Sequence, residues 1–437
     1  MSNWSRPAIL QNLRISDVDL TAGASNGIDL SGGFLSFQYY ETLLSPHITA
    51  TIHFIDTGKA VLAGETQDAA ERLGTIHSSV PTLKNKNLHI TINHPSDSNQ
   101  TGSQNLDFET DPLVISDIIT RIEGTKTQLI GLKLVSKYAR DNKKIHIDQT
   151  FTGNIKNNVD QILLDNFETS LAYATTTSTP LTIEGQGRNP FELILDMARE
   201  AVPATPHNAQ PGCFFFETLD GFNFRGIDDL INQPNQFAYL TSDVATFCER
   251  SNFRILDYNV RSSMRNMLSS LETGEAIKQE KFDPLTFEYN EEIFPVTLNY
   301  SLGSDDIDLE NLYNGNTEYS NTFTDFLDIS PIGIGTEINN NPSVWRAKSL
   351  MRYNILFSKI IDIVVPCNLA LRAGQVIQCG FPKNTDRPEE GISDETVSGD
   401  YLILNLSHKF TADGQTGSTT HMTIVRDTDG IYRNTEV

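Results

Sequence analysis

Alternation of apolar and polar side chains dominates both ends of this chain. Residues 360–426 read as strands closing on a hairpin: IIDIVVP, LRAGQVIQCGFP, GDYLILNLSHKF, a polar turn TADGQTGS, then TTHMTIVRD. Leu402, Leu404, Leu406 and Phe410 fall on one face, and Asn405, Ser407 and Lys409 on the other. A period of two with one wet face predicts an antiparallel sheet or small barrel. The N-terminal part repeats the pattern. Strands are expected over 9–20, 28–40, 88–94 and 129–138. After Pro46, the positions Ile48, Ala50, Ile52 and Phe54 alternate with His47, Thr49, Thr51 and His53, and Asp56-Thr57-Gly58 ends that strand. Residues 95–110 are rich in Ser, Asn, Gln and Asp and read as a mobile loop.

The period changes in the middle. Over 157–169, Val159, Ile162, Leu163 and Phe167 share one helical face. A second helix is expected over 189–202. Asn189 suits its N-cap, Pro190 its first position and Glu192 a capping box, with Phe191, Ile194, Leu195, Ala198 and Val202 as the apolar stripe. Asp220-Gly221, between CFFFET and FNFR, is the strongest hairpin signal. From 252 to 342 the pattern loosens, with breaks at Asp283-Pro284 and Phe294-Pro295, and residues 345–354 read as a short helix. A second polar loop, 383–399, carries Asp386, Glu389, Glu390, Asp394 and Glu395 against Lys383 and Arg387.

With 437 residues, two to four domains are expected. No apolar run approaches the roughly 18 residues of a membrane span, so no membrane insertion is expected. MSNWSRPAIL lacks the pattern of a secretory signal, and assembly in a host cytoplasm is expected. Cys213, Cys248, Cys367 and Cys379 form no CxxC pair and read as buried free thiols. A net charge of −23 disfavours binding to nucleic-acid backbones or anionic membranes. An acidic wall would let a polyanion pass without sticking, and acidity that serves only solubility fits the composition equally well.

Signals for chemistry are weak. His408 and His421 lie on facing strands of the last hairpin, and His89 and His94 flank a strand, but neither pair has a third metal ligand nearby. Asp305, Asp306, Asp308 and Glu310 lack EF-hand spacing and read as a solvated loop. Gly185-Gln186-Gly187 precedes a helix, but Pro190 occupies the third glycine position of a dinucleotide loop and no P-loop Lys-Ser/Thr follows. No GxSxG occurs. No catalytic, cofactor-binding or metal residue is assigned, no cofactor is expected, and the chain is not expected to be an enzyme.

The order of modules carries a resemblance: YYETLLSPHITATIHFIDTG, FTGNIKNNVDQILLDNF, RNPFELILDMAREAV, CFFFETLDGFNFRGIDDLI, then LRAGQVIQCGF and SGDYLILNLSHKFTADGQTGSTTHMTIVRD. Together these resemble the central baseplate hub of contractile-tailed bacteriophages and the related VgrG and late-control gene D hub proteins. The resemblance spans most of 8–430, apart from 260–343. It implies an α+β, mainly β chain with two antiparallel tube-type β-barrel domains, a helix-containing middle segment and an irregular inserted domain. The implied boundaries are 1–138 for the first barrel, completed by about 230–262; 139–229 for the α/β segment; 263–343 for the insertion; and 344–437 for the second barrel. It also implies a homotrimer in the tail baseplate of a virion, joining a sixfold tail tube or tube initiator to a threefold central spike. The tape-measure protein and DNA would pass through its channel, and other baseplate proteins would meet the loops 95–110 and 383–399. Through Val437 no lysozyme domain or β-helical needle is seen, so the spike is expected on a separate chain. Two rival readings stand: a receptor- or carbohydrate-binding tail protein, for which Trp4 and Trp345 are the only tryptophans, and a cell-wall hydrolase.

Overall fold

Among the described residues, strands alternate with short helices in the middle of the chain, a longer helix lies at Pro342–Leu356, and both ends are mostly sheet. The computed structural model describes residues 9–16, 28–56, 61–62, 86–93, 105–123, 127–178, 180–205, 209–241, 253–261, 276–282, 287, 289–294, 302, 319–326, 342–383, 394, 396–412 and 418–427. The N-terminal strands are β1 (Ile9–Ser16), β2 (Ile28–Asp29), β3 (Phe34–Thr42), β4 (Thr49–Asp56), β5 (Val61–Leu62), β6 (Asn87–Asn93), β7 (Asn105–Asp107), β8 (Leu113–Glu123) and β9 (Gln128–Val135). The middle holds α1 (Lys137–Asn142), β10 (Thr150–Asn154), α2 (Ile155–Phe167), β11 (Leu171–Ala174), β12 (Pro180–Glu184), α3 (Pro190–Glu200), β13 (Cys213–Thr218), β14 (Gly221–Gly226) and α4 (Ile227–Ile231). Then come β15 (Phe237–Thr241), β16 (Arg254–Ile255), β17 (Asp257–Arg261), β18 (Ala276–Phe282), β19 (Tyr289–Phe294), β20 (Tyr319–Phe326), α5 (Pro342–Leu356), β21 (Lys359–Pro366), β22 (Val376–Gly380), β23 (Gly399–Thr411) and β24 (Thr419–Arg426).

The expected α+β, mainly β character is present, but the two tube-type barrels are not: among the described residues no sheet closes. Sixteen strands from both ends of the chain instead form one open sheet whose main path runs from β16 to β5. The reason lies in β23. One of its edges serves two partners, with Leu402 opposite Val376 of β22 and Asn405–Thr411 opposite the length of β3 from Thr42 back to Ser36. Its other edge carries β24. The edge that would close a C-terminal module is therefore shared with the N-terminal one.

The single-face reading of β23 also fails, because Leu404 is a bulge. Ile403 pairs with Ile424 and the next pair is Asn405 with Thr423. An extra residue reverses the parity of everything after it. Before the bulge both faces are buried, Tyr401 and Ile403 in one core and Leu402 and Leu404 in another. After it Leu406 stays with the core of Tyr401, and Phe410 enters the N-terminal core beside Phe37. One strand thus feeds three cores.

The two middle helices lie where periodicity places them. α2 buries Ile155, Val159, Ile162 and Leu163. α3 starts at Pro190, yet the Asn189 side chain makes no capping bond; Asn142 Oδ1 accepts from the Phe191 N–H at 2.9 Å instead. Leu193 and Met197 are buried on α3 and Leu195 is partly exposed, so the stripe is rotated from the expected one. β13 and β14 form the expected hairpin across Leu219-Asp220, with Gly221 at φ +119. In the stretch read as irregular, β18, β19 and β20 make a separate three-stranded sheet. Cys213, Cys367 and Cys379 are buried free thiols, and burial pushes all three up; Cys248 lies outside the described residues.

A buried ionic triad joins the middle to the C-terminal end. Arg352 Nε on α5 lies 2.7 Å from Asp228 Oδ1 of α4, and its second guanidinium nitrogen lies 3.1 Å from Asp427 Oδ2 beyond β24. The aspartates are held in turn by main-chain N–H groups, Gln210 on Asp228 at 2.6 Å and Leu302 on Asp427 at 3.0 Å. Removing one member strands the others as buried charges. Arg352→Met is expected to destabilise the fold by about 3–5 kcal/mol, read as a lower midpoint in urea unfolding.

Candidate interaction face

Eight strands of the large sheet form an unbroken antiparallel series: β17, β21, β24, β23, β3, β4, β9 and β8. From β21 to β9 the inner faces pack on the cores and the outer faces are mostly polar, while β17 and the far half of β8 are exposed. The register aligns the outer residues in rows. One row runs Thr419, Lys409, Gln38, Thr51, Lys133, Asp117. Another runs Val364, His421, Ser407, Tyr40, Thr49. An open groove of about 600 Å³ crosses this face and draws its lining from both ends of the chain, including Gln38, Tyr40, Lys133, Asp362, Asn405 and His421.

Side chains lace the face across strand boundaries. Gln38 Nε2 donates to Ser407 Oγ at 2.8 Å, Thr42 to Asn405 Oδ1 at 2.5 Å, and Thr423 to Asp362 Oδ1 at 2.9 Å. The first two join β3 to β23, the seam between the modules. The charges offset one another: Arg261 pairs with Asp362, and Lys133 stands opposite Asp117. Burial and then Lys409 hold His421 below the ordinary imidazole pKa, so it is uncharged at neutral pH. The face is a hydroxyl- and amide-rich wall of balanced charge, unlike the strongly acidic chain as a whole.

Beneath the face lies a polar junction. Glu41, at 1% exposure, accepts from Tyr39 Oη at 2.7 Å, the Leu219 N–H at 2.8 Å and the Ala373 N–H at 2.9 Å. One carboxylate thereby holds β3, the β13–β14 turn and the turn before β22. Burial pushes it up, against the pull of Arg372 and its three donors. Gly374 sits beside it at φ +86, where a Cβ would meet Phe216 at 3.0 Å and Leu43 and Leu230 at 3.3 Å.

The histidine pairs are not brought together as metal sites. The register sets His408 opposite Thr420 and His421 opposite Ser407, on opposite faces. His408 is buried, stacks on Tyr39 and lies 3.0 Å from Thr420 Oγ1. No cluster of three metal-ligating side chains occurs among the described residues. His94, the 305–310 carboxylates and Trp4 lie outside the described residues, as does most of the two polar loops. Gly185-Gln186-Gly187 is a turn; a Cβ on Gly185 would stand 2.2 Å from Ile147 O. The Trp345 ring is partly buried with Lys348 Nζ 5.7 Å from its centroid.

One cluster was missed by sequence reasoning because 73 positions separate Ser16 and His89. Ser16 Oγ lies 2.9 Å from His89 Nε2, and His89 Nδ1 lies 3.2 Å from the Glu109 carbonyl and 3.7 Å from its carboxylate. This is the order of a nucleophile, a base and an acid. Burial and Arg14 hold the imidazole below its ordinary pKa. Ser16 and His89 are buried, however, and Arg14 at 2.6 Å and Asn12 hold the Glu109 carboxylate. The cluster works as a staple between β1, β6 and the turn after β7.

No family model and no curated protein matches this chain. Solved structures do. The tail protein from Neisseria meningitidis MC58 superposes with a TM-score of 0.54 at 9% identity, covering 98% of each chain. The prophage MuSo2 43 kDa tail protein from Shewanella oneidensis gives 0.52 at 12% identity, covering 97% of this chain and 99% of that one. The fold is thus the one these tail proteins share, which bears out the resemblance at the level of fold.

Removing polar groups from the open face leaves the fold nearly untouched, whereas the junction beneath it is sensitive. Thr51→Ala and Lys133→Ala are each expected to change stability by less than about 0.5 kcal/mol. Glu41→Ala, which orphans buried main-chain donors, is expected to lower it by at least about 2 kcal/mol in the same urea titration.

Proposed function

We propose that this protein is a structural component of a phage tail, the trimeric hub of a baseplate. In this reading it joins the sixfold tail tube to a threefold spike on a separate chain. It works by shape and symmetry rather than catalysis, in a virion assembled in the host cytoplasm. The shared fold supports a tail role. The observation that carries the finer reading is the eight-stranded sheet with a polar face and two open ends.

At one end β17 pairs only with β21 among the described residues, and Tyr258 and Val260 are 39% and 43% exposed. At the other end β8 has β9 along its length but meets β6 only at Leu113 and Val114. Beyond that contact Ile119 and Ile122 are 51% and 59% exposed. Open apolar edges invite pairing. Two different edges on one chain make a head-to-tail contact, which closes into a ring when the rotation allows. Three copies would continue the sheet around a central channel, with the balanced polar face turned inward toward the tape-measure protein and DNA.

Light scattering tests this. The chain is expected to run at three times its 48.7 kDa mass alone, or to contribute three copies to a heavier complex with its spike. Val260→Asp at one end and Ile119→Asp at the other are each expected to return it to monomer with an unchanged far-UV circular dichroism spectrum. A wild-type chain that stays monomeric at every concentration and with spike present refutes the hub reading.

A further inference from the structure

We infer that Glu217 is a proton-operated clasp that seats the β13–β14 hairpin against the β3–β4 turn and loosens as the solution goes from acid to neutral. This goes beyond the hub reading and does not depend on it.

The geometry comes first. Glu217 stands near the end of β13 at 5% exposure, and its Oε2 accepts from the Ile48 N–H at 3.0 Å. This bond joins the middle segment to the turn between β3 and β4, separately from the Glu41 contacts. The groups that face Glu217 are mostly acidic. Glu41 and Tyr39 come from β3, and Asp111 precedes β8. Lys137 of α1 is committed to Asp111, and Arg372 to Asp220 on the hairpin turn. His47, next to Ile48, is held below the ordinary imidazole pKa by burial, then by Lys143 and Lys133. No described cation pairs with the Glu217 carboxylate.

Two effects compete at this carboxyl. Burial and two nearby carboxylates oppose the ionised form, while the Ser136 hydroxyl and the Ile48 N–H favour it. Burial wins, and the group is pushed up to about 7 from its ordinary 4.5. The sign follows. A raised carboxyl binds its proton more tightly in the closed clasp than in the open one, so acid favours closure. The stabilisation is complete below about pH 4.5 and is lost as pH climbs to about 7. Glu41 is the contrasting case: three donors hold it whether or not Glu217 carries charge.

Hydrogen exchange read by mass spectrometry on the intact protein decides the matter. After correction for the intrinsic rate, exchange across 43–48 and β13 is expected to rise roughly 20-fold between pH 5.5 and pH 8.0. Glu217→Gln, uncharged at every pH, is expected to abolish that rise. Asp111→Asn, at an exposed position, is expected to keep the rise and move its midpoint to lower pH, which gives a second reading should the glutamine variant fold poorly. A flat wild-type profile, an unchanged rise in Glu217→Gln, or an unmoved midpoint in Asp111→Asn overturns the proposal.

Discussion

The architecture hangs on how one strand divides its hydrogen bonds. β23 has 13 residues, longer than any other strand here. A strand has two edges, and each main-chain group bonds once along the ladder. β23 gives one edge to β24 and splits the other between β22 and β3. The split needs the bulge at Leu404. Without it, Phe410 and His408 would turn to the wet side while Lys409 turned into the core beside Phe37. The bulge also frees the Leu404 carbonyl to accept from the Leu43 N–H at 3.0 Å, fixing the end of β3. Placing one residue out of register thus allows two sheets to become one.

Polar contacts then lock what the cores bring together. The cores meet near β23 without merging, and the gaps between them are crossed by Glu41, Glu217 and the Arg352 triad. Buried ionisable groups are poor sources of net stability, but they penalise every arrangement in which their partners are misplaced. Each of these three carries partners from distant parts of the chain. They define the angle at which the middle segment sits on the sheet, something apolar packing alone leaves loose.

Much of this was legible from residue patterns. Alternation located β4, β6, β9, β21 and β24, and the helical stripes located α2 and α3. Three things were not. β8 was overlooked although LVISDIITRIE is rich in isoleucine, because bulges at Ile115–Asp117 and Ile118–Thr120 break its alternation. The bulge in β23 was invisible because Leu402, Leu404 and Leu406 keep a clean period of two while facing different cores. Closed barrels were expected because strand patterns report which face is buried and say nothing of which edge pairs with which neighbour. The interaction face was half legible: its Ser, Thr and Asn were read as a wet side, but not that β3 and β23 run them into a single wall.

The β3–β23 seam also dictates the order in which the chain can fold. Gln38 and Ser407 are 369 positions apart, yet they stand side by side. Pairings of such span are slow to form, since loop closure must precede any reward from contact. During synthesis β3 and β4 would leave the ribosome with one edge of β3 bare and wait until β23 had followed. For that interval the nascent protein carries an unsatisfied strand next to an apolar face, the condition under which chains aggregate or recruit a chaperone. Assembly of the large sheet is thereby timed by the emergence of β23.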